Sequence, residues 1–128
     1  MPTHVMKTTL NRGASPNPSL STTITADAEE VRELAIPAAT TNQQVIIAFT
    51  MAALKSVLIY ADGACTLKTN STSAPDDTFS LDADSGVVWN NQMTITNPFT
   101  ANVTTIYITT PSGATVNVKI YALVDSTP

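Results

Sequence analysis

Two runs near the end of the chain decide the fold class: V-T-T-I-Y-I-T at residues 103–109 and T-V-N-V-K-I-Y-A-L-V at residues 115–124, separated by P-S-G at 111–113. In the first, Ile106 and Ile108 fall on one side, with Thr105, Tyr107 and Thr109 on the other. In the second, Val116, Val118, Ile120 and Ala122 share a side, and Asn117, Lys119 and Tyr121 oppose them. Successive side chains of a strand point to opposite faces, so this period of two is the mark of half-buried β-strands. The Pro/Gly turn between the two runs predicts that they pair as an antiparallel hairpin.

The same reading extends outward. Residues 43–50 hold the continuous apolar run Val45, Ile46, Ile47 and Phe49 expected of a buried central strand, and residues 56–60 hold a second. Asp62-Gly63 marks a turn, residues 64–69 continue as strand, and residues 70–77 form a polar loop. Residues 79–81 and 87–89 flank a turn-rich stretch and read as another hairpin, followed by a short segment at 92–96. Residues 21–25 form a short strand. Residues 28–36 are ambiguous: Asp27 with Glu30 resembles a helix capping box, while as a strand Arg32, Leu34 and Ile36 share a face and Pro37 ends it. The context favours strand. Eight to ten strands without a dependable helix give an all-β chain, a single jelly-roll-like antiparallel β-sandwich over residues 21–128.

Composition agrees. Of 128 residues, 43% are hydrophobic and only 12% charged, and threonine is about one residue in six. Thr, Val and Ile are β-branched and suit pleated, half-buried surfaces better than helices. Residues 1–20 differ from the rest and read as an extended N-terminal arm, with Gly13, Pro16 and Pro18 breaking any regular element. The first 25 residues carry Lys7 and Arg12 and no acid, whereas the remainder holds all ten carboxylates and four basic residues. At ~3.3 Å per residue a twenty-residue arm reaches about 65 Å, far enough to order on a neighbouring subunit.

Several functions fit poorly. A net charge of −4 is opposed to general nucleic-acid binding, which needs clustered Lys and Arg to displace counterions from phosphates. The most apolar stretch, residues 45–61, is interrupted by Thr50, Lys55 and Ser56, too soon for a membrane span. A single cysteine permits no internal disulfide and no CxxC zinc site, and Cys65 reads as a buried small side chain. Asp76, Asp77, Asp82 and Asp84 lie close in sequence, but Asp82–Gly86 fails the calcium-loop pattern because Gly86 arrives one position early. The one histidine, His4, lies in the arm, where nothing in the sequence fixes it beside a nucleophile. Asn70-Ser71-Thr72 and Asn102-Val103-Thr104 match the glycosylation sequon, and Trp89 is the only tryptophan available to stack on a sugar. No enzyme, cofactor or metal site is expected.

The run A-A-T-T-N-Q-Q-V-I-I-A-F at 38–49, L-K-S-V-L-I-Y-A-D-G at 54–63, T-L-K-T-N-S at 66–71, A-P-D-D-T at 74–78, V-V-W at 87–89 and the closing T-T-I-Y-I-T-T-P-S-G-A-T-V-N-V-K-I together resemble small tailed-bacteriophage virion proteins, the jelly-roll cement or decoration proteins of the capsid. The likeness lies in texture and strand order over about residues 38–123. It implies a virion structural protein that binds the outside of an icosahedral capsid and cements neighbouring subunits, assembled in the host cytoplasm. The implied partners are the major capsid protein and further copies of the chain, as homodimer or homotrimer, with no nucleic acid and no membrane. Lys7, Leu10 and Arg12 are the expected arm contacts. The alternatives are another virion component (tail, neck or head-fibre subunit) and a glycan-binding β-sandwich module.

Overall fold

The computed structural model describes residues 2–11 and 13–125. Among the described residues ten strands form: β1 (Thr3–Thr9), β2 (Ser19–Thr25), β3 (Ala28–Ile36), β4 (Gln43–Phe49), β5 (Leu54–Ala61), β6 (Cys65–Thr69), β7 (Thr78–Leu81), β8 (Ser85–Asn90), β9 (Val103–Thr109) and β10 (Val116–Val124). The described residues contain no helix. The ambiguous segment 28–36 is a strand, because β10 supplies a full ladder of antiparallel partners from Val116↔Ile36 to Val124↔Ala28. Tertiary pairing here overrides the local capping signal.

Strands β3 to β10 make two four-stranded antiparallel sheets, in the orders β3-β10-β5-β8 and β4-β9-β6-β7. The pairs nest: β3 with β10, β4 with β9, β5 with β8 and β6 with β7, as though one long hairpin of eight strands had been wrapped on itself. Two further pairings, β10 with β5 and β9 with β6, close the sheets. The inner faces meet in one core that includes Ile47, Val57, Ile59, Leu67, Ile106, Ile108, Val118 and Ile120, each no more than 1% exposed. Every such side chain removed from water contributes about 1.5–3 kcal/mol. Phe99 fills the space between Phe49 and Phe79 at ring-centroid distances of 5.1 and 5.4 Å, edge to face with both.

Two sequence expectations fail in the same way. β9 and β10 alternate as expected but do not pair, since they lie in opposite sheets and face each other across the core. β7 and β8 likewise belong to different sheets. Alternation reports which face is buried, and two apolar faces are satisfied as well by packing against each other as by pairing side by side. The 110–115 connection also finds its hydrogen bonds elsewhere: Thr110 N–H donates to Thr40 O (2.9 Å) and Ala39 N–H to Pro111 O (2.8 Å). Residues 92–96 are turn and bend rather than strand. There the carbonyl of Ile95 accepts the Trp89 indole N–H at 3.1 Å.

The N-terminal segment forms a third, two-stranded sheet, with β1 and β2 paired from Thr3↔Thr25 to Thr9↔Ser19. The expected arm boundary at residue 20 therefore falls within β2.

Candidate functional site

The β1–β2 hairpin lies across the outer face of the β3-β10-β5-β8 sheet. Side chains of that face form cross-strand rows, one residue per strand. The row Glu29, Leu123, Ser56 and Asn90 follows from the ladder, as do the next, Val31, Tyr121, Leu58 and Val88, and the third, Glu33, Lys119, Tyr60 and Gly86. The hairpin covers the first row. His4 reaches Glu29 on β3 and Ser56 on β5; Met6 reaches Ser56 and then Asn90 on β8. Ile24 and Ala26 close over Leu123, which is fully buried. The hairpin thus crosses the strands from β3 towards β8.

His4 is the pin of this contact. Its Nε2 lies 2.5 Å from Glu29 Oε2, and its Nδ1 lies 2.8 Å from Ser56 Oγ. A carboxylate only accepts, so Nε2 carries a proton; Nδ1 then accepts from the serine hydroxyl in the neutral ring and donates to it in the cation. This carboxylate–imidazole–hydroxyl order is the order of a nucleophilic relay. Here, however, Ser56 has no exposed surface, and its hydroxyl also faces the Met6 sulfur at 3.7 Å. What the arrangement does as it stands is fasten a strand of the hairpin to two strands of the sheet.

Beyond Met6 the hairpin leaves the sheet. All described residues from 7 to 21 are exposed. Lys7 stands opposite Ser21 on the hairpin. Leu10 follows β1, is 58% exposed, and donates its N–H to Pro18 O at 2.9 Å. Leu20 is 74% exposed. Two of the three expected contact residues, Lys7 and Leu10, are therefore brought together on the overhang; Arg12 lies outside the described residues. His4, Glu29, Ser56 and Met6 were invisible as a group in the sequence, where 25 and 52 positions separate His4 from its two partners.

The remaining candidates have structural uses. Asp77 accepts from Thr100 N–H (2.9 Å) and hydroxyl (2.8 Å), Asp76 accepts from the Asn70 amide (2.6 Å), and Asp84 accepts from Tyr60 OH (2.6 Å). Those carboxylates serve different loops, and among the described residues no group of three or more His, Cys, Asp or Glu side chains could hold a metal ion. Asn70 sits at φ 69° and joins two loops, donating to Asn102 O and accepting from Thr104 N–H. Cys65 is buried, and that burial pushes its thiol up. Trp89 is 7% exposed and belongs to the core, so it offers no platform for a sugar.

At the far end of the outer face, hydrogen bonds from Asn117 hold the Asp62 carboxyl below the usual range. Tyr60 and Tyr121 are shifted up, chiefly because their hydroxyls donate to Asp84 and Glu33 respectively. The surface depressions over this face are open grooves. No described helix is long and apolar enough to cross a membrane. Compared with protein families, curated proteins and solved structures, the chain matches none.

Proposed function

We propose that this chain is a structural protein of a tailed-phage particle, one that binds the outside of the capsid and cements neighbouring subunits. The observation that carries the reading is the hairpin: the sandwich bears an anchored, lightly charged strand pair whose outer half, the described residues from 7 to 21, is exposed throughout. Such a segment is costly to keep exposed unless a neighbour covers it. The nested pairing of β3 to β10 supports the jelly-roll form of the sandwich, which capsid domains use. A basic N-terminal segment on an acidic body suits attachment to an acidic protein surface, and many copies on one lattice turn weak single contacts into lasting ones. A structural rather than catalytic role is favoured by the burial of Ser56, the hydroxyl that His4 would have to activate.

The test is co-sedimentation with purified capsids of a candidate phage. The full chain is compared with a variant in which a two-residue Asn-Gly turn joins Lys7 to Ser21, keeping the anchored base. Saturable binding in proportion to the shell subunits, weakened by the shortened hairpin and accompanied by greater heat resistance of the particle, is the expected result. A few copies per particle would indicate a tail, neck or fibre component, and no binding would contradict the proposal.

A further inference from the structure

We infer that the edge of β8 is a self-association surface, on which two copies of this chain join their β3-β10-β5-β8 sheets about a two-fold axis and each lays its hairpin over the other. From the reading above this takes only the idea that the hairpin grips a neighbour, and it names that neighbour as a second copy.

The sandwich has four edge strands, and three are blunted. β3 carries Glu29, Glu30, Arg32 and Glu33. On β4 the Ile46 carbonyl accepts from Arg32 Nε at 3.0 Å. β7 is only four residues long. Charge, side-chain cover and shortness are the usual protections of an edge. β8, S-G-V-V-W-N, has no charge and no proline. Asn91 N–H donates inward to Lys55 O at 2.9 Å, so the alternation of an antiparallel ladder turns residues 89 and 87 towards β5 and residues 88 and 86 away from it. The Asn90 end is tied off by Met93. Among the described residues no loop or side-chain hydrogen bond reaches the outward N–H and C=O groups of Val88 and Gly86.

The surroundings of this edge select a second copy. Six of the eight exposed large hydrophobics lie on the edge, in the adjoining loop or on the hairpin directed past it: Val88, Met93, Ile95, Val5, Leu10 and Leu20. An antiparallel edge is self-complementary under a two-fold axis normal to the sheet. With Val87 of the two copies opposite each other, Val88 of one exchanges backbone hydrogen bonds with Gly86 of the other. That register sets the Asn90 end of one β8 beside the Asp84 end of the other. The overhanging hairpin then passes above the second copy where Asp84 and Asp62 both lie near Tyr60, and the only described charged side chain on the overhang is Lys7. Like the base of the hairpin on its own Leu123, the overhang brings leucines to a sheet face.

Sedimentation velocity of the full chain between micromolar and hundred-micromolar concentrations tests this. A dimer is expected, with Val88→Pro raising its dissociation constant at least tenfold while the far-ultraviolet circular dichroism stays unchanged; proline removes only the outward N–H and is tolerated on an edge. Lys7→Glu is expected to weaken the dimer several-fold. A chain that remains monomeric throughout, or a dimer indifferent to Val88→Pro, overturns the inference. Should that variant misfold, Val87→Cys decides: a disulfide-linked dimer on oxidation supports the axis at Val87, and its absence overturns it. A monomer that still saturates capsids would remove the dimer and leave the cement reading; a dimer that binds no capsid would do the reverse.

Discussion

The sandwich and the hairpin are both antiparallel β-structure, yet they are held in opposite ways. Inner faces of the sandwich are mostly apolar and buried, and its outer faces are largely open to water. In the hairpin, Ile24 is the one buried residue of β1 and β2, and the rest of the attachment is a histidine, a methionine and the polar groups they touch. A two-stranded ribbon alone is marginal in water. The hairpin therefore borrows its order from the sheet beneath as far as Met6, and past that point offers itself to a neighbour.

The largest losses are expected on the sandwich side. Phe99→Ala empties the space between Phe49 and Phe79 and is expected to cost about 3–5 kcal/mol in urea unfolding. Gly86→Ala should cost about 3 kcal/mol, because a Cβ there would sit 2.0 Å from the Ile59 carbonyl oxygen and the backbone must shift. On the hairpin side, His4→Ala leaves the Ser56 hydroxyl without its nearest partner and Glu29 without its imidazole donor. An expected loss of about 1–2 kcal/mol should appear as faster exchange and proteolysis of residues 3–25, with the β5 and β10 amides unmoved.

Smaller effects come from the outer face. Asp62 has a lowered folded pKa, so its contribution is present above the unfolded carboxylate range and is lost as pH falls through the lowered folded value; Asp62→Asn should flatten that acid limb. Tyr60 and Tyr121 have raised folded values, so their contribution is full below the ordinary tyrosine range and is lost as pH rises through the raised values. Ultraviolet titration should accordingly show Tyr60 and Tyr121 ionising late.

This contrast also explains what could be read from the residues alone. Val116, Val118 and Ile120 declare a strand and its buried face by their spacing, and they are buried in β10. Nothing in that spacing says that β10 lies between β3 and β5 rather than beside β9, because pairing depends on shape and closure across the whole core. β1, T-H-V-M-K-T-T, places Val5 and Met6 side by side and so has no period to read. Its order comes from Glu29, Ser56 and Asn90, three residues on three different strands. Charge and prolines mark the segment of Lys7 and Leu10 as distinct from the sandwich, but they show neither its strand pairing nor the anchor that holds it to the sheet.

The most direct test of the account is amide hydrogen exchange followed at low and high protein concentration. Val88 and the amides of residues 7–11 and 19–21 are expected to become slow only when a neighbour is present, while Ile59 and Ile120 exchange equally slowly at both concentrations. Hairpin and β8-edge amides that exchange at one rate irrespective of concentration would contradict it.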